Sequence, residues 1–261
     1  MQIIRPAVLV MLFLLIASYP AAADDNAPPT IATDRPSVTD SSVVVPLGSL
    51  QFENGFAETL DQGRSAVDGP ETLMRLGVAS KTEVRLTVPD YFGQVAGGPE
   101  SNSGFGDLEI GVKQQLGSAA GFDVSLVVSL SLPTGAEAVS SHGYDPSVQL
   151  PWSRSLSTNW TAAGMLSVYF PTQGGRRNVT GEATFLIDRQ LTKKWDAFAE
   201  YAGDFPQVGG PRHLLHFGTS YKLTYRQQLD FHGGLGLSSA TLDHLVGVGY
   251  SIRFQMFHRE H

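Results

Sequence analysis

The stretch GFGDLEIGVKQQL, residues 104–116, changes character at every second residue. Leu108, Ile110 and Val112 form an apolar set, while Asp107, Glu109 and Lys113 form a charged one. Such alternation marks a β-strand whose two faces meet different surroundings. The same pattern recurs in FDVSLVVSLSL (122–132), where Phe122, Val124, Leu126, Val128, Leu130 and Leu132 oppose Asp123, Ser125, Ser129 and Ser131. In HLVGVGYSIRF (244–254), Val246, Val248, Tyr250, Ile252 and Phe254 oppose glycines, Ser251 and Arg253. About a dozen segments have this form.

The polar faces together carry Arg75, Glu83, Arg85, Asp107, Glu109, Lys113, Asp123, Glu182, Asp188, Glu200, Lys222, Asp230 and Arg253. A soluble barrel with an apolar interior is workable at about eight strands. With about twelve it would enclose a wide apolar hole. Lipid removes the difficulty, because the apolar face then meets hydrocarbon and the charged face lines the lumen. The wet side is the inside. The predicted fold is an all-β, transmembrane, antiparallel up-and-down β-barrel of about twelve strands in the bacterial outer membrane.

The connections support this. Short polar turns (ASKT, GSAAG, LSTN, LTKK, TYRQ) alternate with longer Gly/Pro-rich loops at 61–70, 93–103, 133–145, 171–178 and 206–212. A barrel with short periplasmic turns and long outer loops produces that asymmetry. Aromatic residues gather at strand ends: Tyr91, Phe92, Tyr169, Phe170 and Phe205 before long loops, Phe122, Trp160 and Trp195 after short turns. These are expected to form two interfacial girdles. Pro151 falls within a strand and suggests a bulge.

The first residues combine Arg5, an apolar run from Ala7 to Ile16 and the small residues Ala21 to Ala23. This reads as a secretory signal peptide. The expected divisions are a signal peptide at 1–23, an N-terminal periplasmic or plug segment at 24–47, the barrel at 48–254 and a C-terminal tail at 255–261. The chain has no cysteine, which removes disulfides and thiolate chemistry, and its net charge of −7 argues against a nucleic-acid partner.

Three blocks carry a family resemblance: TDRPSVTDSS, VPLGSLQFENGF and GFGDLEIGVKQQL. With Thr33, Asp34, Arg35, Pro36, Ser42, Gly48, Gln51, Glu53, Gly55, Gly106, Asp107, Gly111 and Lys113, they resemble the bacterial family described as "putative MetA-pathway of phenol degradation". LPTG (132–135) and FAEYAG (198–203) also fit. The resemblance implies an outer-membrane barrel with a transport role and supplies neither a solute nor a catalytic residue.

The expected function is therefore a channel for passive uptake or efflux of a small solute, with an apolar or aromatic compound among the candidates. The alternatives are an outer-membrane lipid-modifying enzyme and a purely structural barrel. Arg75, Arg85, Asp107, Glu109, Lys113 and Glu182 are the lumen-lining candidates, since ionisable residues at membrane depth are costly unless hydrated or paired. Wall bracing is the plainer role for any one of them. Asp34 and Arg35 are plug candidates, and a mobile periplasmic terminus is the alternative for their segment. An inward fold of the loop PTGAEAVSSHGYD is a second candidate gate. His213 and His216 are three apart, so on a strand they face opposite sides. His232 shares a face with Asp230, a pair more often found as a wall hydrogen bond than as a catalytic dyad. No enzyme activity, catalytic residue, metal or cofactor is expected. The expected partners are outer-membrane lipid, a small-molecule solute and, during biogenesis, the barrel assembly machinery.

Overall fold

The computed structural model describes residues 29–96 and 103–257, so the expected signal peptide lies outside the described residues. The chain forms β1 (Ser49–Asp61), β2 (Arg64–Gly69), β3 (Leu73–Ala79), β4 (Thr82–Thr87), β5 (Tyr91–Ala96), β6 (Gly104–Phe105), β7 (Leu108–Ala119), β8 (Phe122–Leu132) and β9 (Asp145–Ser157). There follow β10 (Trp160–Tyr169), β11 (Thr172–Gln173), β12 (Arg176–Arg177), β13 (Thr180–Gln190), β14 (Trp195–Pro206), β15 (Arg212–Thr224), β16 (Gln227–Gly236) and β17 (His244–Gln255).

Every pairing is antiparallel between neighbours, and β17 returns to pair with β1 from Ser49↔Gln255 to Leu60↔His244. The sheet is closed. Three staves are each broken in two, β2 with β3, β4 with β5 and β6 with β7, so the barrel has twelve staves. Pro70 and Pro89 stand in two of the breaks, where a missing N–H interrupts the ladder. The register survives: Leu73↔Thr87 and Gly69↔Tyr91 flank the gap in step. β11 and β12 form a separate hairpin within the loop between β10 and β13.

Two sequence expectations are corrected. Residues 61–70 are not a long loop but a strand extension, because Gln62 and Gly63 both adopt positive φ (50° and 76°) and close a tight two-residue hairpin turn. Pro151 produces no bulge: Val124↔Trp152 and Val127↔Gln149 keep the same register on either side of it, and the register shift in β9–β10 falls at Trp160/Thr161.

Burial is inverted relative to a soluble protein. Gln51, Glu53, Arg75, Glu83, Lys113 and Asp230 are fully buried, while Phe56, Leu166, Phe185, Phe231 and Val246 are at least 50% exposed. The charged face is therefore the lumen and the apolar face is the outside, as an outer-membrane barrel requires. Trp160, Trp195 and Tyr221 near one end and Tyr91, Phe105 and Phe205 near the other are exposed. Tyr169 is not one of this set. Its hydroxyl points inward, donating to Glu182 at 3.1 Å and accepting from Gln149 at 3.0 Å.

Candidate functional site

Residues 29–48 lie inside the lumen. Their path can be followed by what each touches. Ile31 donates its backbone N–H to the Tyr225 carbonyl at 2.8 Å, which fixes the segment's start at a short-turn end. Asp34 then meets β3, β4 and β7. Thr39 crosses to the opposite wall, where its N–H and hydroxyl donate to Glu200 at 2.7 and 2.5 Å. Ser42 meets Ser153 at 2.7 Å, Val45 donates its N–H to Glu83 at 2.7 Å, and Gly48 returns to the wall beside Gly77. Ile31, Asp34, Thr39, Ser42 and Val45 are all buried.

A charge cluster forms around Asp34. Arg85 donates to Asp34 Oδ2 at 2.6 Å, Lys113 Nζ lies 2.9 and 3.1 Å from the two oxygens, and Arg75 Nη1 is 3.3 Å away. Arg75 also donates to Glu53 at 2.9 Å and to Glu83 at 2.8 and 3.0 Å. Asp40 approaches Arg85 at 3.1 Å. Burial alone would raise the Asp34 carboxyl, but Arg75, Lys113 and Arg85 outweigh it and hold the group well below the ordinary carboxylate range.

Arg35, the next residue, turns to another part of the wall. Its guanidinium pairs with Glu71, lies 3.3 Å from Asp230 and 3.5 Å from His232. From there a polar chain continues: His232 meets His216 ring to ring at 3.0 Å, and His216 meets Glu200 at 2.9 Å. Glu200 is also the carboxylate that holds Val38 and Thr39, so one network anchors two points of the segment.

The wall is shaped to admit this segment. Gly55 and Gly249 are cross-strand partners on the lumen face. A Cβ on either would collide with the Arg35 guanidinium, and one on Gly77 would collide with the Pro46 carbonyl. Strand-interior glycines of this kind mark a close approach by another backbone or side chain. Gly55→Ala should therefore displace Arg35 while leaving the strand ladder intact. We expect a well-folded barrel in which a cysteine at Ser37 reacts with a water-soluble maleimide several times faster than in the Gly55 parent. Equal rates would show that the notch does not seat Arg35.

Of the lumen-lining candidates, Arg75, Arg85 and Lys113 come together around Asp34. Glu109 is half-buried on the same stave as Lys113, and Glu182 sits on the far wall with Ser167 (3.0 Å) and Tyr169. Asp107 sits in the break of the β6–β7 stave, and its oxygens accept the backbone N–H groups of Gly135 at 2.8 Å and Ser141 at 3.0 Å. It pins the loop at 133–144, whose Ala136 also donates its N–H to Phe105. His213 and His216 do face opposite sides: His213 meets the Tyr201 hydroxyl on the outside, His216 meets Glu200 inside. Glu53 entered the sequence reading only through the family resemblance, with no role, and Asp40 and the pairing of His216 with His232 were not singled out. The lumen-face glycines were the available signal.

Solved structures resembling this one are outer-membrane barrels. The COG4313 outer membrane channel from Pseudomonas putida F1 matches with a TM-score of 0.64 at 12% identity, covering 82% of this chain and 98% of that one. The NanC porin matches with a TM-score of 0.55 at 7% identity, covering 78% and 98%. The KdgM porin matches with a TM-score of 0.53 at 13% identity, covering 80% and 99%. At these identities the likeness is one of fold. No curated protein is found to be similar in sequence. The family model "Putative MetA-pathway of phenol degradation" matches residues 33–254, and the chain belongs to that family.

Proposed function

We propose that the protein is an outer-membrane channel for passive passage of a small solute, in uptake or efflux, and that residues 29–48 act as its plug. The observation that carries this is how the lumen is filled. A purely structural barrel can be filled by wall side chains from neighbouring staves. Here a terminal segment fills it, held by ion pairs and hydrogen bonds at separate points, so the filling can leave while the ladder stays closed. The lipid-modifying alternative needs a nucleophile and base together on the outer wall. On that wall His213 gives its ring nitrogen to Tyr201, and Ser238 meets the His213 backbone N–H instead of the ring.

The family description suggests an aromatic or apolar solute, whereas the lumen is lined by charge. An aromatic compound with an ionised group satisfies both. Outer-membrane lipid against the apolar exterior and the barrel assembly machinery during insertion complete the proposed partners. The test is conductance in a planar bilayer of the mature chain beside a form lacking residues 24–46. Discrete current steps, larger or more frequent in the shortened form, are expected. A shortened form that is folded yet silent would overturn the channel reading.

A further inference from the structure

Asp34 occupies what is, from the wall's side, a carboxylate receptor. Its two oxygens take Arg85 at 2.6 Å and Lys113 at 2.9 and 3.1 Å, with Arg75 behind them. These cations differ in what the wall alone offers them. Arg75 has Glu53 and Glu83, both on strands. Within 4.0 Å, among the described residues, Arg85 and Lys113 have only Glu83 Oε1 from the wall, at 3.6 and 3.9 Å, and that oxygen already accepts from Arg75 Nε at 2.8 Å; Glu109 on β7 acts on Arg85 from farther off. Their close partners, Asp34, Asp40 and the Ser41 carbonyl, all belong to the N-terminal segment. If the segment leaves, these two cations lose their close counter-charges and keep only the distant, shared wall carboxylates, so a species that supplies a close one favours the departed state. Arg85 and Asp40 are the partly exposed edge of the cluster, with side chains 10% and 14% exposed, so of the three cations around Asp34 it is Arg85 that the lumen reaches.

We propose that Arg85 and Lys113 form a binding site for the carboxylate of a small organic acid, and that Asp34 fills it as a tethered stand-in. A solute carboxylate taking the place of Asp34 releases the plug, so the solute opens its own path. This rests on the channel reading and names its substrate class. A ligand that shifts the docked and released states must bind them differently, and here it does so because Asp34 blocks the site only in the docked state.

The test is equilibrium binding of labelled benzoate to the folded, detergent-solubilised mature chain, with benzyl alcohol as the uncharged control and inorganic phosphate as a second anion. In Asp34→Asn the internal competitor is gone, and benzoate should bind at least about tenfold more tightly than to the native chain. Adding Arg85→Gln to that variant should remove the gain. Equal binding to the native chain and Asp34→Asn, equal binding of benzyl alcohol, or a preference for phosphate would each overturn the proposal. If Asp34→Asn does not fold, a Val44→Cys chain serves, since the parent has no cysteine. Benzoate should speed its maleimide labelling and benzyl alcohol should not; equal rates overturn the proposal. Binding with a silent bilayer would sink the channel reading alone, and conductance without binding would sink this inference alone.

Discussion

Asp34→Ala should open the lumen while leaving the barrel's melting behaviour close to that of the parent. In the docked segment this carboxylate faces three cations, of which Arg75 and Lys113 are fully buried. Removing one partner of a buried ion pair costs roughly 3–5 kcal/mol, because the charge left behind has neither water nor counter-ion. That cost falls on the docked state only, since the released segment lets water reach Arg85 and Lys113. The ratio of docked to released segment should then fall by roughly two to four orders of magnitude. Single-channel recording reads this directly as a rise in open probability, and an Asp34→Ala chain as silent as the parent would show that the cluster does not hold the plug.

The pH dependence of the same contact follows from its sign. The folded carboxyl titrates well below its ordinary 3.8, so its contribution is fully present above that value and is lost only as pH falls through the lower, folded one. Acidification from neutral pH toward 4 should not release the segment through Asp34.

The barrel was legible in the sequence because one physical rule, two faces in two solvents, repeats along the whole chain. The run from Leu108 to Lys113 already states it, and Arg75, Arg85 and Lys113 could be assigned to the lumen from alternation alone. The segment at 29–48 has no such period. Its residues find wall partners far along the chain, 19 positions away for Asp34 to Glu53 and 195 for Arg35 to Asp230. Nothing local in the sequence encodes those distances. The partners of Asp107 were hidden for a related reason. It continues the alternation of β7 by one step, yet it falls in the break of the stave and its side chain holds a loop. Gly55 and Gly249 did carry a local sign of the segment, but a strand glycine announces a close approach without naming what approaches.

Arg75→Met should lower the barrel's thermal midpoint as well as free the plug, which separates it from Asp34→Ala. Arg75 is fully buried on β3 and joins wall to segment in both directions. Toward the wall it donates to Glu53 on β1 and Glu83 on β4. Toward the segment it donates to the Ala32 carbonyl at 3.2 Å on the inward limb and the Val43 carbonyl at 3.0 Å on the returning limb. Methionine fills similar space but supplies no donor. Glu53 keeps Gln51 and the backbone N–H groups of Asp34 and Arg35 but loses its cation, while Glu83 keeps Val45 with Arg85 and Lys113 only at 3.6 and 3.9 Å. The loss should be roughly 3–5 kcal/mol, shared between the three staves and the segment. Arg75→Lys should recover only part of it, because a single ammonium cannot reproduce a planar fork that serves two carboxylates and two carbonyls at once. The measurement is the temperature at which the folded, faster-migrating gel form is lost, read beside single-channel recording. A midpoint unchanged from the parent would mean that the staves close without this residue. Arg75 would then act on the segment alone, and its phenotype would merge with that of Asp34→Ala.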